Sequence, residues 1–178
     1  MRLIENIFIA QPLYMIMLEI IGMHAVWTYF MFLLHGKCRR YVAAAGVLLS
    51  LILIVRFTLA GRTRGGGELI LMPFMTVVNA ATYPEYYRSA ILNAILFLPL
   101  GLSLPFALPP RFGRRVPVTV LTGMLLSVSV EAIQFFFALG ICETDDVIIN
   151  TFGAFLGATS WWACAGLERL IRNRRSTR

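Results

Sequence analysis

Long apolar runs alternate with short charged breaks along this chain, and the runs have the length of membrane crossings rather than of buried core helices. A crossing takes about 20 mostly apolar residues to cover roughly 30 Å of hydrocarbon. Windows of that kind predict five helices, near residues 13–34, 41–60, 89–108, 116–138 and 147–166. The fold class expected is therefore all-α, an integral membrane bundle of about five transmembrane helices.

The breaks between the runs differ in sign. Residues 35–40 carry Lys37, Arg39 and Arg40, residues 109–115 carry three arginines, and the tail after Gly166 carries Arg169, Arg172, Arg174, Arg175 and Arg178. The positive-inside rule puts these three segments in the cytoplasm. Five crossings place them on one side without further assumption. The N-terminus, the 61–88 loop and the acidic turn 139–146 then fall outside, so the expected location is a bacterial cytoplasmic membrane with the C-terminus inside. The first apolar run contains Glu19 and His24, is too long for a cleavable signal and lacks a small-residue cleavage site, so it is expected to persist as the first helix.

Composition narrows the choices. Of 178 residues 58% are hydrophobic and 14% charged, with a mean hydropathy of +0.76, which leaves no room for a separate soluble domain; residues 1–178 read as one membrane domain. The net charge of +7 follows from topology, because the arginines lie between apolar runs rather than on one soluble face, and no nucleic-acid partner is expected. Cys38, Cys142 and Cys164 form no CxxC pair and read as packing residues. No metal and no cofactor is expected from these spacings.

Loop 61–88 is more than a linker. After a flexible "GRTRGGG" comes "ELILMPFMTVVNAA", apolar but too short to span, and then "TYPEYYRS" with Tyr83, Tyr86 and Tyr87. Such a segment reads as interfacial or re-entrant, with phenol rings at headgroup depth. It either roofs a site or simply hugs the membrane.

Candidate chemistry lies in the last two runs. Ser127, Glu131 and Gln134 are spaced i, i+4, i+7, one helical stripe. A carboxylate at the centre of a membrane helix costs about 2.5–3.5 kcal/mol on insertion scales, so Glu131 should face protein or water; its bland role is a structural hydrogen bond inside the bundle. Asp146, Asn150, Gly153 and Gly157 form a second stripe, and the glycines make a GxxxG that admits a close neighbour. The short turn makes the fourth run the expected neighbour, and the same motif offers a route to a homo-oligomer. For Asp145 and Asp146 there is also a plain reading, in which Thr144 caps the helix and the acids complement its dipole.

In the third run Arg88 stands at the mouth and Asn93 deeper, ahead of Pro99 and Gly101. Arg88 can pair with the acids, hold an anionic headgroup or snorkel. Arg56 is expected to snorkel outward, and Glu19 and His24 to face the bundle. Arg88, Asn93, Glu131, Gln134, Asp145, Asp146 and Asn150 are thus expected to gather in one ligand-binding notch beneath the outer face.

The "MPF" of Met72 to Phe74, the "N…FLPLG" from Asn93 to Gly101, the "S…EAIQ" ending at Gln134 and "TDDVIINTFGAFLG" together resemble the VanZ-like family over residues 42–165. The chain departs from the family pattern at "LILM", where relatives usually carry an asparagine, and at "GICE", where they often carry an arginine ahead of the aspartates; the second departure favours Arg88 as the local partner of the acids. The family takes its name from an accessory protein of glycopeptide resistance that raises tolerance to teicoplanin. The resemblance implies an envelope function, with a membrane lipid, a lipid-linked cell-wall precursor or a lipoglycopeptide as partner.

Two functional classes follow. One is a binding module with apolar walls and a few placed polar groups. The other is an intramembrane hydrolase or transferase acting on a lipid-linked sugar or phosphate, with Glu131 and Asp146 as catalytic acid and base, although no GxSxG or HExxH motif accompanies them. Transport is the weakest, since no inverted repeat is evident.

Overall fold

In a computed structural model of the chain, residues 13–60, 65, 67–80, 83, 85–109 and 113–176 are described. Residues 61–64 and 66 of the glycine-rich opening, Arg111 and Arg178 lie outside the described residues.

Helices α1 (Leu13–Leu33) and α2 (Gly36–Thr58) are followed by strand β1 (Leu69–Ile70) and the short helix α3 (Met75–Ala80). Then come α4 (Glu85–Ala107), α5 (Arg115–Phe136), strand β2 (Cys142–Glu143) and α6 (Thr144–Ser176). Five of the helices are long and apolar enough to cross a membrane, as the runs predict. The last extends beyond its predicted end, because Arg169, Arg172 and Arg174 continue it as a basic, exposed extension.

Helix α4 is the centre of the bundle and packs most extensively on α6, then on α2. Between apolar helices in lipid, association depends on close packing rather than on the hydrophobic effect, so small residues decide which backbones meet. A Cβ on Gly153 would fall on the carbonyl oxygen of Ala94, one on Gly157 on that of Leu98, and one on Gly101 on that of Ala154. The GxxxG of α6 therefore seats against α4 and not, as the short turn suggests, against α5. The reason is reciprocity: α4 supplies its own glycine at the crossing. Both glycines of the motif, Gly153 and Gly157, are buried within the chain, so a contact between copies would have to use another face.

One apolar cluster joins Ile54, Phe97, Leu100, Val130 and Ala154 across four helices. A second, toward the arginine-rich end, joins Met31, Ala43, Phe106 and Cys164, with Trp27 and Trp161 against it. Most polar groups in the spans are satisfied locally or across helices, as hydrocarbon demands, whereas Thr28 Oγ1, Asn150 Oδ1 and Ser160 Oγ are buried without a hydrogen-bond partner among the described residues. Ser50, Thr58 and Thr119 bond back to carbonyls four residues earlier. Trp27 Nε1 donates to the Leu102 carbonyl at 2.8 Å, and His24 Nε2 meets Thr159 Oγ1 at 3.0 Å, which ties α1 to α4 and α6. Glu19, expected to face the bundle, is instead exposed on α1; this helix touches its neighbours along a narrow strip. Arg56 is exposed and reaches the Ala60 carbonyl at its own helix end, as snorkelling requires.

Candidate functional site

The acids meet at one end of the bundle, around a ladder that no local periodicity announces. β1 and β2 pair in parallel, Leu69 with Cys142 and Ile70 with Glu143. Cys142 N donates to Glu68 O at 2.9 Å and Gly67 N to Gly140 O at 2.9 Å, which extends the pairing backwards. The 61–88 loop is thereby stitched to the acidic turn.

Asp145 locks the next stretch. Its two carboxylate oxygens accept the amides of Phe74 and Thr76, each at 2.6 Å, and the residue is 4% exposed. It caps α3 rather than serving only the dipole of its own helix. Thr144 likewise reaches across, its hydroxyl donating to the Leu71 carbonyl at 3.2 Å. Phe74 sits at φ +66, a region costly for a bulky residue, and the clamp on either side of its peptide holds it there.

The remaining polar residues separate into distinct contacts instead of one notch. Asn93 Nδ2 donates to Asp146 Oδ1 at 2.7 Å, so the polar end of the glycine stripe faces α4 as the glycines do. Asn150 Nδ2 donates to Ser127 Oγ at 2.9 Å, joining α6 to α5, and both groups are buried. Gln134 Nε2 donates to the Thr58 carbonyl at 2.9 Å and closes the end of α2. Glu131, 4% exposed, accepts the Glu143 amide on Oε2 at 3.1 Å. Arg88 is half-buried in the first turn of α4.

Two crevices, each about 280 Å³, flank the ladder. The polar one is lined by Thr76, Tyr86, Ser89, Ala90, Glu143 and Asp146. The other is apolar, walled by Leu69, Leu71, Val128, Phe135, Phe136 and Val147, with Glu131, Cys142 and Glu143 on its floor. Asp146 thus faces the polar crevice, Glu131 lines the apolar one, and Gln134 and Asn150 are packed inside the bundle.

Glu143 belongs to both crevices. Burial, followed by the charges of Asp146 and Asp145, pushes its carboxyl above the ordinary 4.5. The Cys142 thiol is also held above its ordinary 9.0, first by burial and then by the charge and hydrogen bond of Glu131. Among the described residues no three of His, Cys, Asp and Glu are placed to hold a metal ion.

Glu143, Ser89 and Thr76 are missed by sequence reasoning. Only Glu143 carries a signal, an acid two residues before the aspartate pair in "GICETDD"; Thr76 acquires its place through the Asp145 clamp and Ser89 through the start of α4.

Five apolar crossings with an acid-lined double crevice at one end and arginines at the other define a multi-pass membrane protein. A family model described as VanZ/LLP1 matches residues 41–165, and the chain belongs to that family. It is 36% identical over 95 residues to Protein VanZ of Enterococcus faecium, a match that covers 51% of this chain and 50% of that protein. The chain thus aligns with about half the length of this relative. No solved structure matches it.

Proposed function

We propose that this protein works at the bacterial cytoplasmic membrane in glycopeptide tolerance of the teicoplanin type, by binding an amphiphile at its acidic end. The likeness to Protein VanZ supports the role. The observation that carries the binding mode is that Glu143 lines a polar crevice and an adjoining apolar one at once. A ligand with a polar head and an acyl chain can fill both. Carboxylates of Glu143 and Asp146 beside the hydroxyls of Tyr86, Ser89 and Thr76 suit a head rich in hydrogen-bond donors, such as amines, hydroxyls or amides. A lipoglycopeptide and the sugar-peptide part of a lipid-linked wall precursor both meet that description. The arginine-rich connections support a cytoplasmic basic end and, with it, crevices that open at the outer leaflet.

Glu131 and Asp146 as an acid–base pair have less support, because each lines a different crevice.

The test is growth inhibition by teicoplanin and by vancomycin in a sensitive host with and without the chain. Teicoplanin tolerance should rise, and should fall back in the double variant Glu143→Gln, Asp146→Asn, which keeps shape and removes charge. Equal tolerance with and without the wild-type chain would sink the role. Full tolerance in the double variant would sink the site.

A further inference from the structure

The opposite end of the bundle holds a second crevice, of about 400 Å³, built from different chemistry. We propose that it binds the phosphate of an anionic phospholipid in the leaflet at that end. Among the described residues three arginines from two connections converge on it, Arg39, Arg40 and Arg115, against one acid, Glu168. Glu168 is already engaged by Arg39 at 2.6 Å. Arg40 gives its Nε to the Ala107 carbonyl at 3.2 Å, and among the described residues its other guanidinium donors meet no acceptor, which leaves them for an external one.

Arg115 is pre-positioned. It donates to the carbonyls of Pro105 at 2.6 Å and Pro109 at 3.2 Å and lies 4.2 Å above the ring of Trp161. Held this way, its guanidinium loses little freedom on meeting an oxyanion.

Backbone electrostatics point the same way. Helices α2 and α5 both begin at this crevice, at Gly36 and Arg115, and neither has a side-chain cap from His35 or Arg114. Uncapped N-termini present free amides and positive dipole ends, the ordinary setting for a phosphate. Phe106, Leu108 and Trp161 supply an apolar rim where an acyl chain would begin. Basic pockets between membrane helices commonly take such headgroups.

The experiment is native mass spectrometry of the full chain in detergent, titrated with phosphatidylglycerol, with phosphatidylcholine and with inorganic phosphate. Retention of phosphatidylglycerol over phosphatidylcholine is expected. Arg40→Gln should weaken it about fivefold, at roughly 1 kcal/mol per arginine near a headgroup. Arg172→Gln, which removes the same charge from the exposed extension of α6, should change it less than twofold. Arg40 is exposed, so its substitution leaves the fold intact; Arg115→Lys, which keeps charge but loses the fork, should weaken binding as well. Equal retention of the two lipids overturns the proposal. So does an equal loss in Arg172→Gln, which would mean diffuse attraction. Retention of inorganic phosphate with the same arginine dependence, and no preference between lipids, overturns the headgroup as its source.

Discussion

Asp145→Ala should release the acidic-end loop from the bundle while the crossings stay folded. The carboxylate accepts two backbone amides at 2.6 Å in a buried setting. Hydrogen bonds to a charged group contribute about 1.5–3 kcal/mol each, and the stranded amides of Phe74 and Thr76 lose both, so the docked loop should weaken by about 3–6 kcal/mol. Detachment also relaxes the left-handed Phe74, which adds to the tendency to open. At about 1.4 kcal/mol per factor of ten, amides at 74–76 and in the ladder at 69–70 and 142–143 should exchange hydrogen about 10²- to 10⁴-fold faster. Asp145→Asn should show a smaller effect, since one oxygen remains to accept while the new NH2 opposes the other amide. Hydrogen exchange read by mass spectrometry on the full chain in nanodiscs resolves the segments. Faster exchange confined to the first turn of α6, with 74–76 unchanged, would refute the clamp and restore simple capping.

Three further outcomes are expected. Gly153→Ala and Gly157→Ala each drive a methyl into a backbone carbonyl of α4, a clash no rotamer relieves, and should cost about 1–3 kcal/mol or more, read as a lower thermal midpoint in detergent, whereas Gly22→Ala, with open space around it, should leave the midpoint unchanged. Because the folded state holds the Glu143 carboxyl above its ordinary 4.5, stability from this group is complete below pH 4.5 and falls as pH rises through the folded value; Glu143→Gln should therefore raise the midpoint at pH 7 and lose that advantage below pH 4.5, and an advantage that grows on acidification would contradict the cause. With the three cysteines replaced by alanine, Tyr83→Cys should react with a membrane-impermeant maleimide in intact cells and a cysteine at Arg172 only after permeabilisation; the reverse would invert the orientation.

The crossings were legible because lipid imposes a single demand on every residue of a run, and length plus charge suffice to read it. Even there α1 differs in detail, since Glu19 has the sequence setting of a bundle residue yet stands exposed. Pairing was less legible. GxxxG states that something approaches closely but not what, and α4 became the partner because Gly101 answers Ala154 across the crossing. The candidate site was the least legible part. Glu131, Asp146 and Asn150 lie on stripes that are real, but stripes on neighbouring helices diverge with the angle around each axis. Asn150 turns to Ser127, Asp146 to Asn93, and Gln134 to the end of α2. The ladder joins residues 73 positions apart through two residues per strand, too short for any alternation to register.

The separation of those contacts distinguishes the acids from one another. Asp145 is met by two amides, Glu131 by the amide of Glu143, and Asp146 by Asn93. Donors of this kind satisfy carboxyl oxygens that would otherwise be costly beside hydrocarbon. Glu143 differs: its amide is used by Glu131, but no donor meets its carboxyl among the described residues, and two neighbouring aspartates repel its charge. A group in that condition takes up either a proton or an external donor. Since it also lines both crevices, a ligand that brings an amine or hydroxyl to Glu143 relieves an unfavourable charge at the point where its head and chain would part. For the proposed amphiphile, the expectation is therefore that Glu143→Gln changes binding more than Glu131→Gln does.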